Sequence, residues 1–489
     1  MRRHAFSLLV LAALALASGA CRPSHQGAVR VTVIGGEPKV RDPALTPLSG
    51  PDAVLVASVG QGLVQFDAIG NIVPGLAERW NVSGDGLSYL FRIASTDWPG
   101  GRKLTAQQVA RILKRSIAPA SVNPLKDTVG AIDDVVAMTD RVIEIRLKAP
   151  RPNLLSVLAQ PEFAIVRSGA GTGPFTIDPK QDKPGALRLT REIASLDEET
   201  ARRDEVELGA AEAPRAVRSF AAGDTDLVLG GTFGDLPYAQ RASLPRGSLR
   251  FDPASGLFGL IPTHSGGALD NAEVRSLLSQ SIDRDQLVNA LRVPGLAARA
   301  TLLEPGLDGI PNPVTPAWAT TSIADRRPSL AAGVARLFGS NIPAISVFLP
   351  QGPGGDLLFN RLAADWGAIG LKVERAPDVR SADLRLIDAV APSTSPAWFL
   401  RQFRCEVASV CNADVDQLLE AARDTLIPAQ RYALLAQAAG LLDDDTVFIP
   451  LTAPVRWSLV SSRIQGFAGN HYARHTLTDL EQKPSSGAP

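Results

Sequence analysis

The sequence predicts a mixed α/β protein folded in more than one lobe, and three observations carry that reading. Val29, Val31 and Val33 alternate with Arg30 and Thr32, the period of a half-buried strand. Val274, Leu277, Leu278 and Ile282 instead recur at helical spacing, as one apolar stripe facing a core rather than a cofactor site. The chain has 489 residues, whereas a single core stops growing at about 250–300.

Taken in order, the first element is an export signal over residues 1–20. Arg2 and Arg3 precede an apolar run from Phe6 to Ala17, and Ser18, Gly19 and Ala20 lead into Cys21. The run falls short of the roughly 20 residues that span a bilayer. A cysteine directly after the small residues predicts lipidation at Cys21, with residues 21–27 as a polar tether; Ser18 keeps an ordinary secretory signal as the alternative. Two or three acyl chains on one residue make a firm anchor.

The fold begins at the strand around Val29. Residues 76–80 and 87–93 bracket Ser83, Gly84, Asp85 and Gly86, which predicts a hairpin. Thr105 and Gln108 form a capping box ahead of Val109, Ile112 and Leu113, and Asp270 with Glu273 repeats that start signal before the second helical stripe. Strand patterns return at residues 142–147, 344–349 and 447–451, and helical ones at 357–370, 415–422 and 431–442. Strands and helices do not alternate strictly, so neither a barrel nor a dinucleotide-binding fold is indicated. Proline- and glycine-rich connections such as residues 304–316 break the chain, and residues 482–489 read as a frayed tail.

Lys plus Arg number 50 and Asp plus Glu 50, so there is no basic footprint of a nucleic-acid binder. The sequence lacks a G-x-S-x-G elbow, an H-E-x-x-H helix and a Walker loop, and Gly169–Gly173 lacks dinucleotide spacing. Catalytic machinery, a cofactor and a metal site are therefore not expected, and His471 and His475 have no carboxylate constellation beside them in sequence. With Cys21 committed to lipid, Cys405 and Cys411 remain. In an oxidising compartment they predict a disulfide closing a small loop, the alternative being two buried free thiols.

At residues 62–93, "GLVQFDAIGNIVPGLAERWNVSGDGLSYLFRI" resembles the signature of the family 5 extracellular solute-binding proteins of ABC transporters, the oligopeptide-, dipeptide- and nickel-binding group. Further segments resemble the family in its own order: residues 103–115, 141–159, 171–175, 274–288, 415–424 and 447–451. The resemblance implies a bilobed periplasmic-binding-protein fold with discontinuous lobes and an extra N-proximal domain. The first lobe is expected at 28–48, 166–258 and 456–489, the extra domain at 49–165 and the second lobe at 259–455. It further implies a monomeric binding component, lipid-anchored on the periplasmic side of a bacterial membrane. Such a component takes a small ligand, foremost a short peptide, between its lobes and passes it to the permease subunits. The rival reading is an interaction lipoprotein that kept the fold and lost the ligand.

Site residues follow from the same resemblance. "IDAVAP" at 387–392 is similar to the motif whose aspartate meets a peptide's α-ammonium, which points to Asp388, although Pro396 also fits as the motif's proline. "GGEPKVRDP" at 35–43 is similar to a segment with a pocket-facing glutamate, giving Glu37, which equally reads as a strand end. Trp398 and Phe399 are expected to wall the pocket. Two segments depart from the family pattern, residues 93–101 and 257–267, and both bear on which ligand is bound.

Overall fold

The computed structural model describes residues 27–179, 185–193 and 202–482; Cys21 and the export segment lie outside them. Three main sheets organise these residues: the seven- and five-stranded sheets share one apolar core and each packs a further one, and the antiparallel sheet has its own.

The seven-stranded sheet runs in the order Thr176–Ile177, Ala186–Ile193, Arg202–Ala211, Val29–Ile34, Leu227–Thr232, Arg456–Val460, Leu249–Phe251. Val29–Ile34 lies parallel to both neighbours. Its three valines are buried and the residues between them half-buried, as the alternation requires. Beside it Gly231 faces Trp457, and a Cβ there would sit 2.2 Å from the indole. The ring occupies the side-chain space, and its Nε1–H donates to the Thr232 carbonyl at 2.8 Å.

The five-stranded sheet runs Lys372–Arg375, Ala344–Phe348, Leu384–Val390, Gly256–Pro262, Ile449–Thr452. Every residue of Gly256–Pro262 is buried, so this strand reads as a continuous apolar run rather than an alternation. Helices Ala272–Ser281, Arg284–Leu291, Ile323–Phe338 and Pro353–Gly367 contribute Leu278, Leu287, Val334 and Trp366 to one core. Helices Pro396–Arg401, Ala413–Asp424 and Pro428–Asp444 contribute Phe399, Leu419 and Leu435 to another. Cys405 and Cys411, which follow the first of these, are joined by a disulfide with Cα atoms 5.0 Å apart.

The third sheet is antiparallel: Ala77–Val82, Ser88–Ile93, Val142–Leu147, Ile132–Thr139. Its first hairpin turns on residues 83–87, with Gly86 at φ +70°, a left-handed value that glycine adopts at no steric cost. Helix Ala106–Ile117 packs on this sheet and starts with the expected capping box of Thr105 and Gln108. The second start signal is displaced by one residue. Asn271 caps Ala272–Ser281 by accepting from the Glu273 N–H, while Asp270 ends a 3₁₀ turn and accepts from the Gly266 N–H at 2.7 Å.

The chain crosses between the seven- and five-stranded sheets twice, at residues 252–255 and 453–455. The first crossing is pinned by the C-terminal segment. The Asp252 carboxylate accepts from the Asn470 N–H at 3.0 Å and meets His475 Nε2 at 3.2 Å, and the Pro253 carbonyl faces His471 Nδ1 at 2.9 Å. Two connections side by side between two rigid lobes make a hinge.

Candidate ligand-binding site

All three sheet units meet at the loop of residues 390–396, which leaves strand Leu384–Val390 for helix Pro396–Arg401. A cavity of about 230 Å³ lies there. Val390, Ala391 and Pro392 line it from the five-stranded unit, Leu125 and Gln160 from the antiparallel unit, and Arg456, Tyr472 and Arg474 from the seven-stranded one. Tyr472 is held by stacking on Phe66, with ring centroids 4.4 Å apart.

Gln160 ties the three parts together. It is almost fully buried, its Nε2 donates to the Pro392 carbonyl at 3.1 Å, and its Oε1 accepts from Arg474 Nε at 3.0 Å. Arg474 also reaches Glu162 at 2.7 Å. Gln160 lies one residue beyond the family-like segment 141–159 and carries no motif of its own in the sequence. Arg474 carried no signal at all, because its partners lie more than 300 positions away in the chain.

Asp388 enters this site already paired. Arg456 Nη1 donates to its Oδ1 at 2.7 Å and Arg456 Nη2 to its carbonyl at 3.1 Å. One residue belongs to the five-stranded sheet and the other to the seven-stranded sheet, so the pair joins the two lobes beside the crossing at 453–455. Burial raises the Asp388 carboxyl above its ordinary range, and the charge and hydrogen bond of Arg456 oppose that rise. The cavity wall is Arg456 rather than Asp388. A ligand ammonium would therefore have to compete with a guanidinium for this carboxylate, which changes the expectation of a free anchor.

The other expected residues lie elsewhere. Glu37 projects from the exposed loop after Val29–Ile34, with its side chain 68% exposed and 3.9 Å from Lys39; it does not line the cavity. Trp398 and Phe399, expected to wall the pocket, lie in the core of the second lobe. Both are buried, packed edge-to-face at 5.1 Å among Phe403, Leu419 and Leu435. Their short helix packs against Ala413–Asp424 and Pro428–Asp444, and neither residue lines the interlobe cavity.

Beyond the cavity, the seam between the antiparallel unit and the second lobe is closed by arginines. Arg431 donates to the Pro150 carbonyl at 3.2 Å, Arg401 to the Asp127 carbonyl, and Arg151 to the Arg423 carbonyl. Arg151 and Arg401 are each pushed down to about 10, burial being the larger cause and neighbouring guanidinium charges the next. Among the described residues no group of three or more His, Cys, Asp or Glu side chains is placed to hold a metal ion.

Two discontinuous lobes joined by paired crossings, with a polar cavity where they meet, define a hinged binding protein. A family model described as bacterial extracellular solute-binding proteins, family 5, matches residues 71–385, and the chain belongs to that family, whose members are extracellular binding components of ABC transporters. It is 24% identical to a dipeptide-binding protein of Pseudomonas aeruginosa, covering 94% of this chain and 96% of the relative. Among solved structures it is similar to Haemophilus influenzae OppA in complex with the peptide RPPGFSPFR, with a TM-score of 0.79, 17% identity and coverage of 94% and 99%. It is also similar to the Escherichia coli murein tripeptide binding protein MppA, with a TM-score of 0.80, 17% identity and the same coverage. These likenesses establish the bilobed fold. No helix among the described residues is long and apolar enough to cross a membrane.

Proposed function

We propose that this protein captures a short peptide in the cavity between its lobes and delivers it to the permease of an ABC importer, without chemical turnover. The observation that carries the reading is the meeting of all three units at one polar cavity, in a chain whose full-length relatives include a dipeptide-binding protein. Gln160, Arg456 and Arg474 present hydrogen-bond donors and acceptors on its wall, suited to a ligand with polar backbone groups. A ligand touching both lobes favours closure by its differential affinity for the closed state. In this reading the segments 28–48, 166–258 and 456–489 move as one lobe against 259–455, with 49–165 travelling with the first.

Native mass spectrometry of gently purified protein tests the ligand class, because a co-purified dipeptide or tripeptide would appear as a discrete mass increment. Calorimetry with a dipeptide library follows. If no peptide binds and none co-purifies, the interaction-lipoprotein reading replaces this one. We extend the proposal to the anchor: Cys21 is the mature N-terminal residue and carries acyl chains. A membrane-extracted protein whose N-terminal peptide starts elsewhere, or carries an unmodified Cys21, removes that part alone.

A further inference from the structure

A second, larger cleft of about 550 Å³ lies wholly within the second lobe. It falls in the range of roughly 300–1,000 Å³ typical of small-molecule sites. Helices Arg284–Leu291 and Ile323–Phe338 both begin at this cleft. The Pro- and Thr-rich connection between them supplies Trp318 to its wall.

Arg284 is the unusual group. It is buried, at 6% exposure, and its guanidinium donates only to neutral acceptors: the Pro450 carbonyl at 2.8 Å, the Ser279 carbonyl at 2.7 Å and Ser279 Oγ at 2.9 Å. It lies 5.2 Å from the centre of the Trp318 ring, and Arg326 lies 5.1 Å from the same ring. Burial, then the charge of Arg326, pushes Arg284 down to about 9. The carboxylate that opposes this shift, Asp365, is already engaged by Arg361 at 2.5 Å and Arg327 at 3.9 Å. Arg326 donates Nη1–H to the Trp318 carbonyl at 2.6 Å, but its buried Nε has no hydrogen-bond partner among the described residues.

Among the described residues no carboxylate forms an ion pair with Arg284 or Arg326; Asp283 and Asp285 bear on Arg326 only through their charge at longer range. Arg299 is bound to Glu304 and to the Gly256 carbonyl. Asp283 caps its helix by accepting from the Gln286 N–H at 3.0 Å, and Asp285 is exposed at the rim. Two guanidiniums thus share one indole with no carboxylate bonded to either, beside an apolar wall that includes Leu303 and Pro316.

We propose that this cleft is a second ligand site, separate from the interlobe cavity, that takes a small organic anion: a carboxylate or phosphate bonded by Arg326 beside Arg284, on an apolar body lying against Trp318. A charge-assisted hydrogen bond to an anion is stronger than a neutral one, so the anionic group provides the selectivity.

The test uses benzoate, indole-3-acetate and phenyl phosphate at millimolar concentration, with benzamide as the neutral control, followed by saturation-transfer NMR on the purified protein. Binding of at least one anion is expected, with none of benzamide. Arg326→Gln should weaken that binding about tenfold or more, and Trp318→Leu should weaken it as well. Arg326→Lys keeps the charge and should restore part of the affinity. Circular dichroism melts confirm that each variant is folded, and Arg326 does not touch the interlobe cavity, so peptide binding should be unchanged. Failure of all three anions, equal binding of benzamide, or anion binding undiminished in Arg326→Gln would overturn the proposal.

Discussion

Asp443 shows what burial does to a single carboxyl in this protein. It accepts from the Leu302 N–H at 2.9 Å, yet burial, followed by the nearby Asp444 charge, drives it up to about 6. The folded-state value lies above the unfolded value of about 3.9, so the folded protein takes up this proton first. Its stabilising contribution is complete below the unfolded value and is lost as pH rises through about 6. Asp443→Asn keeps an acceptor for Leu302 and removes the charge. The variant should therefore be more stable than the wild type at pH 8, with the advantage shrinking by pH 5, as read from urea midpoints at the two pH values. Gln160→Leu is expected to do the opposite. It removes both bonds that link the three units, costs about 1–3 kcal/mol through the polar groups left behind, and weakens peptide binding in calorimetry. At this scale the sequence exposed Asp388 but not its partner, because Arg456 is 68 positions away and arrives only through the second lobe crossing. The placement of Trp398 and Phe399 was hidden for the same reason: an aromatic pair beside a site motif looks alike in sequence whether it faces a ligand or two packed helices.

Elements were far more legible, since their signals are local. The valine alternation became Val29–Ile34, and Val142–Leu147 is the strand that the pattern at 142–147 marks. The helical pattern at 431–442 lies inside Pro428–Asp444. The capping box at Thr105 is a case where sequence and structure agree atom by atom, and Gln108 there does a second task by accepting from Trp98 Nε1 at 2.8 Å. Thr105→Ala should cost about 1 kcal/mol and lower the denaturation midpoint, while Thr105→Ser should leave it nearly unchanged. The one-residue displacement at Asn271 arose because Asp270 spends its carboxylate on the preceding turn, and two adjacent capping side chains cannot be ranked from sequence alone. The requirement for Gly231 was also hidden, since only the antiparallel neighbour Trp457 imposes it.

Closure of the whole molecule depends on which contacts join the lobes, and the Asp388–Arg456 pair is one that can be tested directly. Arg456 stands at the start of a first-lobe strand and grips both the carboxylate and the carbonyl of a second-lobe residue. Both side chains are mostly shielded, at 16% and 18% exposure, so removing one leaves the other desolvated and unpaired. Arg456→Gln should destabilise the protein by up to about 3 kcal/mol, and small-angle scattering should show the unliganded variant more expanded than the wild type. A general loss of stability could produce the first effect but not a restored fold with persistent opening. The double variant Asp388→Asn, Arg456→Gln removes both charges, so its unfolding free energy should recover toward the wild type while its scattering profile stays expanded and peptide affinity stays reduced. If the double variant is as compact as the wild type and binds peptide normally, the pair holds neither the lobes nor the cavity wall, and closure must rest on Gln160 and the arginine seam.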